Sequence, residues 1–206
     1  LYIAGKSLER KKEWARAAGA YQQIPVLYPD HSMADDGYAL GGIAWVEAGQ
    51  PAQARQLWTK QADTYPTGDM AGEGFWRLAW SSYQSGDTEA AIDTAERMVR
   101  EVPLQVDPTH VQGARYWAAR WQIYPDVAHP DVLSPDPESV AAGIDALAKL
   151  IADHPAGFYS LLAAARLQEL APERLNAMSP PALASDGTTW TVRKSFADHP
   201  ATQRAL

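Results

Sequence analysis

The chain has 206 residues, 46% of them apolar and 21% charged, with a net charge of −7; nothing in this balance favours nucleic acid or an anionic membrane surface. No window comes near 18 uninterrupted apolar residues, so no membrane span is expected. The absence of cysteine excludes disulfides and thiol chemistry. Against three Phe stand eight Trp and nine Tyr, which makes rings with polar edges the unusual resource of this sequence.

The chain opens at Leu1 with no visible signal peptide or acylation site, so it reads as an excised fragment, truncated at both ends. Residues 1–8 read as the end of a helix. Residues 9–28 read as the next one, with Trp14, Ala17, Tyr21, Ile24 and Leu27 recurring at three- and four-residue steps. Pro25 inside it predicts a kink or an early stop. The charged run Glu9-Arg10-Lys11-Lys12-Glu13 is a solvated turn and helix start.

The stretch 38–66 carries the plainest pattern: Tyr38-x2-Gly41-Gly42-x2-Trp45, then Gly49, Ala54-x3-Trp58 and Pro66. Gly42 allows close helix approach, Gly49 ends the first helix, and Pro51 opens the second at an early helical position. Ala54 marks the crossing, Trp58 is expected to cover its outside, and Pro66 stops the second helix. Gly49 and Gly86 stand 37 apart (86 − 49), as do Ala54 and Ala91 (91 − 54) and the prolines 29, 66 and 103. This is the helix–turn–helix spacing of a tetratricopeptide repeat with longer loops. Asp35-Asp36 suits a helix N-terminus better than a catalytic pair. The third repeat, 75–103, turns at Gly86-Asp87 and buries Ile92, Ala95, Met98 and Val99.

A stretched fourth unit follows. Its first helix covers 111–124, and its second begins after Asp136-Pro137 with Val140, Ile144, Leu147, Ala148 and Ile151 on one face. The intervening PDVAHPDVLSPDP holds four prolines and must be a loop. Its Asp126, His129 and Asp131 are weak metal-ligand candidates, and no metal site is expected. His110, His154 and His199 stand at predicted helix boundaries, where structural roles prevail. Pro155 opens a further helix with Phe158, Leu161, Leu162 and Ala165 on one face and Leu167 and Leu170 extending it. Beyond Pro172 no helical period is visible until 199–206, and 188–192 reads as a short extended piece. The expected fold is all-α, a tetratricopeptide-like solenoid of antiparallel helix pairs in one right-handed superhelical domain over 1–206. Its helices are predicted near 9–28, 36–48, 51–65, 73–85, 88–102, 111–124, 138–153 and 156–170.

Three segments carry a more specific resemblance: Ala114-Arg115-Tyr116-Trp117-Ala118-Ala119-Arg120, then Gly157-Phe158-Tyr159-Ser160-Leu161-Leu162-Ala163-Ala164-x-Arg166-Leu167, then Pro200-Ala201-Thr202-Gln203-Arg204-Ala205-Leu206. In this order they resemble the helical superhelix of the soluble lytic murein transglycosylases, with Ser160 replacing that family's usual Gly. The resemblance covers 111–206, with regular repeats in 1–103. It implies a non-catalytic, periplasmic scaffold that holds peptidoglycan glycan beside a lysozyme-like domain. That family's catalytic Glu-Ser pairs with a later Gly-Leu-Met-Gln. Here Glu138-Ser139 lacks that partner and is better explained as first-turn charge. No phosphate, dinucleotide or hydrolase motif occurs, so neither catalytic residues nor a cofactor are expected. The alternative is a repeat adaptor that binds a peptide or protein partner in the cell envelope.

The candidate binding residues follow from the repeat template. It turns Glu73, Trp76, Trp80, Tyr83 and Gln84 toward a groove, and Phe75, Leu78 and Ala79 toward neighbouring helices. Trp76, Trp80 and Tyr83 form an i, i+4, i+7 stripe, repeated by Trp117, Trp121 and Tyr124 41 residues on (117 − 76). Two such stripes on adjacent first helices predict an aromatic wall for a glycan or a peptide. Arg77, Arg115 and Arg120 are placed to meet carboxylates. The competing expectation is that these rings pack helix on helix.

Overall fold

The computed structural model describes residues 1–178, and among them the chain is helical with no strand. The helices are α1 Tyr2–Arg10, α2 Trp14–Leu27, α3 Ala34–Glu47, α4 Pro51–Thr64, α5 Ala71–Gln84, α6 Thr88–Glu101, α7 Pro108–Ile123, α8 Pro137–Asp153, α9 Phe158–Leu170 and the short α10 Pro172–Ala177. Each odd helix packs against the even one that follows it. The odd helices also meet one another directly, α3 on α5, α5 on α7 and α7 on α9. The expected extended piece at 188–192 and the helix at 199–206, with His199, lie outside the described residues.

Small residues set the close approaches. A Cβ at Gly42 would run into the Trp58 indole, so the ring fills the space the missing side chain leaves. Trp58 is therefore only 3% exposed, and its Nε1–H donates to the Ala39 carbonyl at 3.3 Å. This corrects the expectation that Trp58 lies outside the crossing: the indole is too large a hydrophobe to leave in water when a glycine opposite can receive it. Ala54 is fully buried.

The turns use glycine at two places and lysine at a third. Gly49 and Gly86 adopt φ of 73° and 84°, the left-handed conformation that ends α3 and α5. The same position one repeat earlier (49 − 37) is Lys12, which has φ 58°. The turn is therefore present without its glycine, and α2 starts at Trp14, not at residue 9. Lysine in this conformation is uncommon; the charged run 9–13 reads as a turn and helix start together, and that places the start of α2 too early. Pro25 lies in the last turn of α2 and does not shorten it; Leu27 ends exposed.

The C-terminal units depart further. The buried residues of α9 are Ser160, Ala163 and Leu167, whereas Phe158 is 67% and Leu161 64% exposed. This corrects the face expected for α9 at Phe158 and Leu161, while Leu167 of its expected extension is buried and Leu162 is partly buried. Both faces are apolar, so periodicity does not choose between them, and the Ser160 hydroxyl becomes buriable by donating to the Leu150 carbonyl at 3.2 Å. Helix α10 occupies 172–177, where no helix was expected, with Pro172 at a first-turn position. Asp107 and Asp136 cap α7 and α8, accepting from His110 N–H and from the N–H groups of Glu138 and Ser139. Glu138 is exposed in the first turn.

Candidate functional site

Helices α5 and α7 carry the two aromatic stripes, and their direct contact joins them into one cluster. Trp80 is its hub, with ring centroids 5.8 Å from Trp76, 4.7 Å from Trp117 and 5.5 Å from Trp121, all edge-to-face. Tyr83 stacks on Trp121 at 5.0 Å. Arg120 lies over the Trp117 and Tyr124 rings at 5.3 and 5.8 Å, near enough for cation–π attraction.

The two stripes do not share one fate. Trp121 is 1% exposed, and Tyr83 and Tyr124 are also buried, so these three are core residues and not the exposed wall that was expected. Trp76, Trp80 and Trp117 remain half-buried. The cause lies one repeat back. Trp121 leans on Trp80 and Tyr83 of α5. The residues of α3 corresponding to the α5 stripe are Ala39, Ile43 and Val46 (76 − 37, 80 − 37, 83 − 37), too small to cover Trp76 and Trp80. An open groove of about 520 Å³ results, lined by Val46, Pro51, Trp58, Glu73, Trp76, Arg77, Trp80, Ser81 and Gln84. Glu73, Trp76, Trp80 and Gln84 thus face the groove as the template requires, and Tyr83 does not.

A charged frame braces this groove. Glu73 Oε1 accepts from Arg77 Nε at 2.6 Å, and its Oε2 lies 3.2 Å from His110 Nε2. His110 Nδ1 lies 2.7 Å from Asp107 Oδ2, and its ring packs edge-on to Trp76 at 5.9 Å. The His110 hydrogen bond, aided by Arg77 and opposed by burial, pulls the Glu73 carboxyl down to about 2. That same bond raises the pKa of His110 against the opposing effect of burial, with Asp107 adding to it. His110 was read as a boundary histidine. The structure makes it a carboxylate-to-carboxylate bridge between α5 and α7, and the legible signal was its place three residues after the capping Asp107.

The remaining candidates separate. Arg115 points away from the aromatic cluster and pairs with Asp153 at 2.8 Å. Asp126 binds His129 Nδ1 at 2.7 Å and accepts from Ala128 N–H, whereas Asp131 faces Arg120 at 3.9 Å, so the loop trio does not converge. Asp35, Asp36 and Asp69 do gather, with carboxylate oxygens within 4.8 Å of one another. Asp35 there is buried and accepts from Met70 N–H at 2.9 Å, linking two repeats. The adjacent pair was read as helix-end charge alone, and the third carboxylate became visible only in the fold.

Comparison with known families now decides the broader placement. A family model described as an outer membrane lipoprotein, YfiO, matches residues 38–177, and a tetratricopeptide-repeat model matches residues 1–31. The chain belongs to the YfiO outer membrane lipoprotein family. Neither match is to a lytic transglycosylase. No curated protein and no solved structure matches the chain. Among the described residues, no helix is long and apolar enough to cross a membrane.

Proposed function

We propose that this chain is a protein-binding scaffold of the bacterial cell envelope, placed on the periplasmic side, and that it holds an extended segment of a partner protein in the Trp76–Trp80 groove. The observation that carries the reading is the pair of half-exposed indoles beside the Glu73–Arg77 ion pair in an open groove of about 520 Å³. Indole faces accept apolar side chains, while the ion pair and Gln84 offer acceptors and donors to a peptide backbone. Trp117 and Arg120 extend the same surface along α7.

Selection of random peptides against the whole chain tests this. A peptide family should emerge whose binding falls at least about tenfold in Trp76→Ala/Trp80→Ala, with the helical circular-dichroism spectrum unchanged. Selected peptides that bind the double variant equally well would overturn the assignment.

A second reading keeps the scaffold of a peptidoglycan-cleaving enzyme. Its support is that two of the resembling segments pack together, Tyr116 against Tyr159 at 5.8 Å and beside Arg166. In that reading the same indole faces stack on sugar rings. Co-sedimentation with purified sacculi that disappears in Trp76→Ala/Trp80→Ala would favour glycan over peptide.

A further inference from the structure

On the opposite side of α7 from the aromatic cluster lies a second groove, of about 340 Å³, walled by α6 and α8. We propose that it docks an acidic amphipathic helix of a partner protein. Three ridges line it, each at helical spacing: Glu96, Val99 and Arg100 of α6; Arg115, Ala118, Ala119 and Gln122 of α7; Ala146, Lys149 and Leu150 of α8. The bottom is apolar and made of small residues, with Ala118 and Ala119 buried side by side and Leu150 next to them. A floor of alanines between two taller helices receives the side-chain ridge of a third, and lets its backbone approach closely.

Charge names the guest. Arg100, Arg115 and Lys149 stand on the rim against Glu96 in the lining and Asp153 beside it, a net positive charge (3 − 2) in a chain of net charge −7. Arg100 is exposed, and Lys149 is 71% exposed while sharing Asp153 with Arg115. An apolar ridge flanked by Glu or Asp matches this surface in shape and sign; a basic helix matches it in shape alone.

The test uses the whole chain and a fluorescein-labelled helical peptide of roughly 14 residues, about four turns, with Leu along one face and Glu along both flanks. A partner peptide with Lys in place of every Glu serves as control. Fluorescence anisotropy should show saturable binding of the Glu peptide that weakens with salt. It should fall at least about tenfold in Arg100→Glu/Lys149→Glu, both surface changes, and likewise in Ala146→Trp, which fills the groove. Trp76→Ala/Trp80→Ala should leave it unchanged. No saturable binding up to about 1 mM, binding that survives both groove variants, or equal binding of the Lys peptide would each overturn the proposal. So would loss of binding in Trp76→Ala/Trp80→Ala alone, which would move the guest to the aromatic groove.

Discussion

The stripes on α5 and α7 have the same Trp-x3-Trp-x2-Tyr spelling and part company at the second indole. On α5 both indoles stay half-buried and line a groove; on α7 Trp117 stays half-buried while Trp121 is sealed into the core, and the tyrosine of each stripe is buried. The helices themselves are equivalent, and the difference is in what precedes each one. α7 stacks on a helix of large aromatics, while α5 stacks on a helix whose matching residues are Ala39, Ile43 and Val46. In a solenoid, each repeat's surface is decided by its neighbour as much as by its own sequence. A binding groove arises where a large ring meets a small preceding residue.

The contrast is most directly broken by stability. Trp121→Ala should cost about 3–5 kcal/mol, as for an emptied aromatic core site, whereas Trp76→Ala should cost less than about 1.5 kcal/mol. Urea unfolding followed by circular dichroism measures both, and equal losses would erase the distinction between core and groove.

The charged frame at the α5–α7 junction gives a smaller effect that depends on pH. Glu73 is held well below its ordinary value of 4.5, so its contribution is complete above that pH and is lost as pH falls toward about 2. His110 is held above its ordinary 6.5, so its contribution is complete below that pH and is lost as pH rises through the raised folded value. The junction is therefore tightest between pH 4.5 and 6.5. Both groups are partly exposed, and solvent screening limits the effect to roughly 1 kcal/mol. His110→Gln should flatten the alkaline limb of the stability profile while leaving the far-ultraviolet spectrum intact; an unchanged limb would remove His110 from the junction.

Next comes the first turn. Lys12→Gly should stabilise the chain by up to about 1 kcal/mol, since glycine adopts positive φ without the steric penalty of a side chain. Gly86→Ala should destabilise by a similar amount. Thermal melts of both variants check the pair, and a Lys12→Gly protein that melts lower would show that the lysine side chain has a compensating contact.

The smallest effect sharpens the account of the groove. Val46→Trp supplies α3 with the ring that α5 already offers to α7. Stability should change by no more than about 0.5 kcal/mol, because Val46 is exposed, while peptides selected on the native groove should be displaced. Undiminished peptide binding would mean that the open face of Trp80 is not where they sit.

Much of the fold was legible because repeat architecture writes itself periodically. Gly49, Gly86, Ala54, Ala91 and the prolines at 29, 66 and 103 recur at one step, and each has a local conformational reason that needs no knowledge of distant residues. The stripe 76–80–83 and its copy were legible for the same reason: helical spacing alone puts them on one face. Where local rules are satisfied in two ways, sequence does not choose. Lys12 occupies a glycine's conformation because the surrounding repeat enforces it. α9 turns Ser160 inward because the Leu150 carbonyl is there to receive its hydroxyl. Trp58 is buried because Gly42 opposite it leaves a ring-sized space. The sequence by itself determined most of the helices, the glycine turns at Gly49 and Gly86 and the two aromatic stripes, through forces acting within a few residues. Only the tertiary structure decided which rings are core and which line a groove, because burial depends on the size of the side chain that stacking brings opposite.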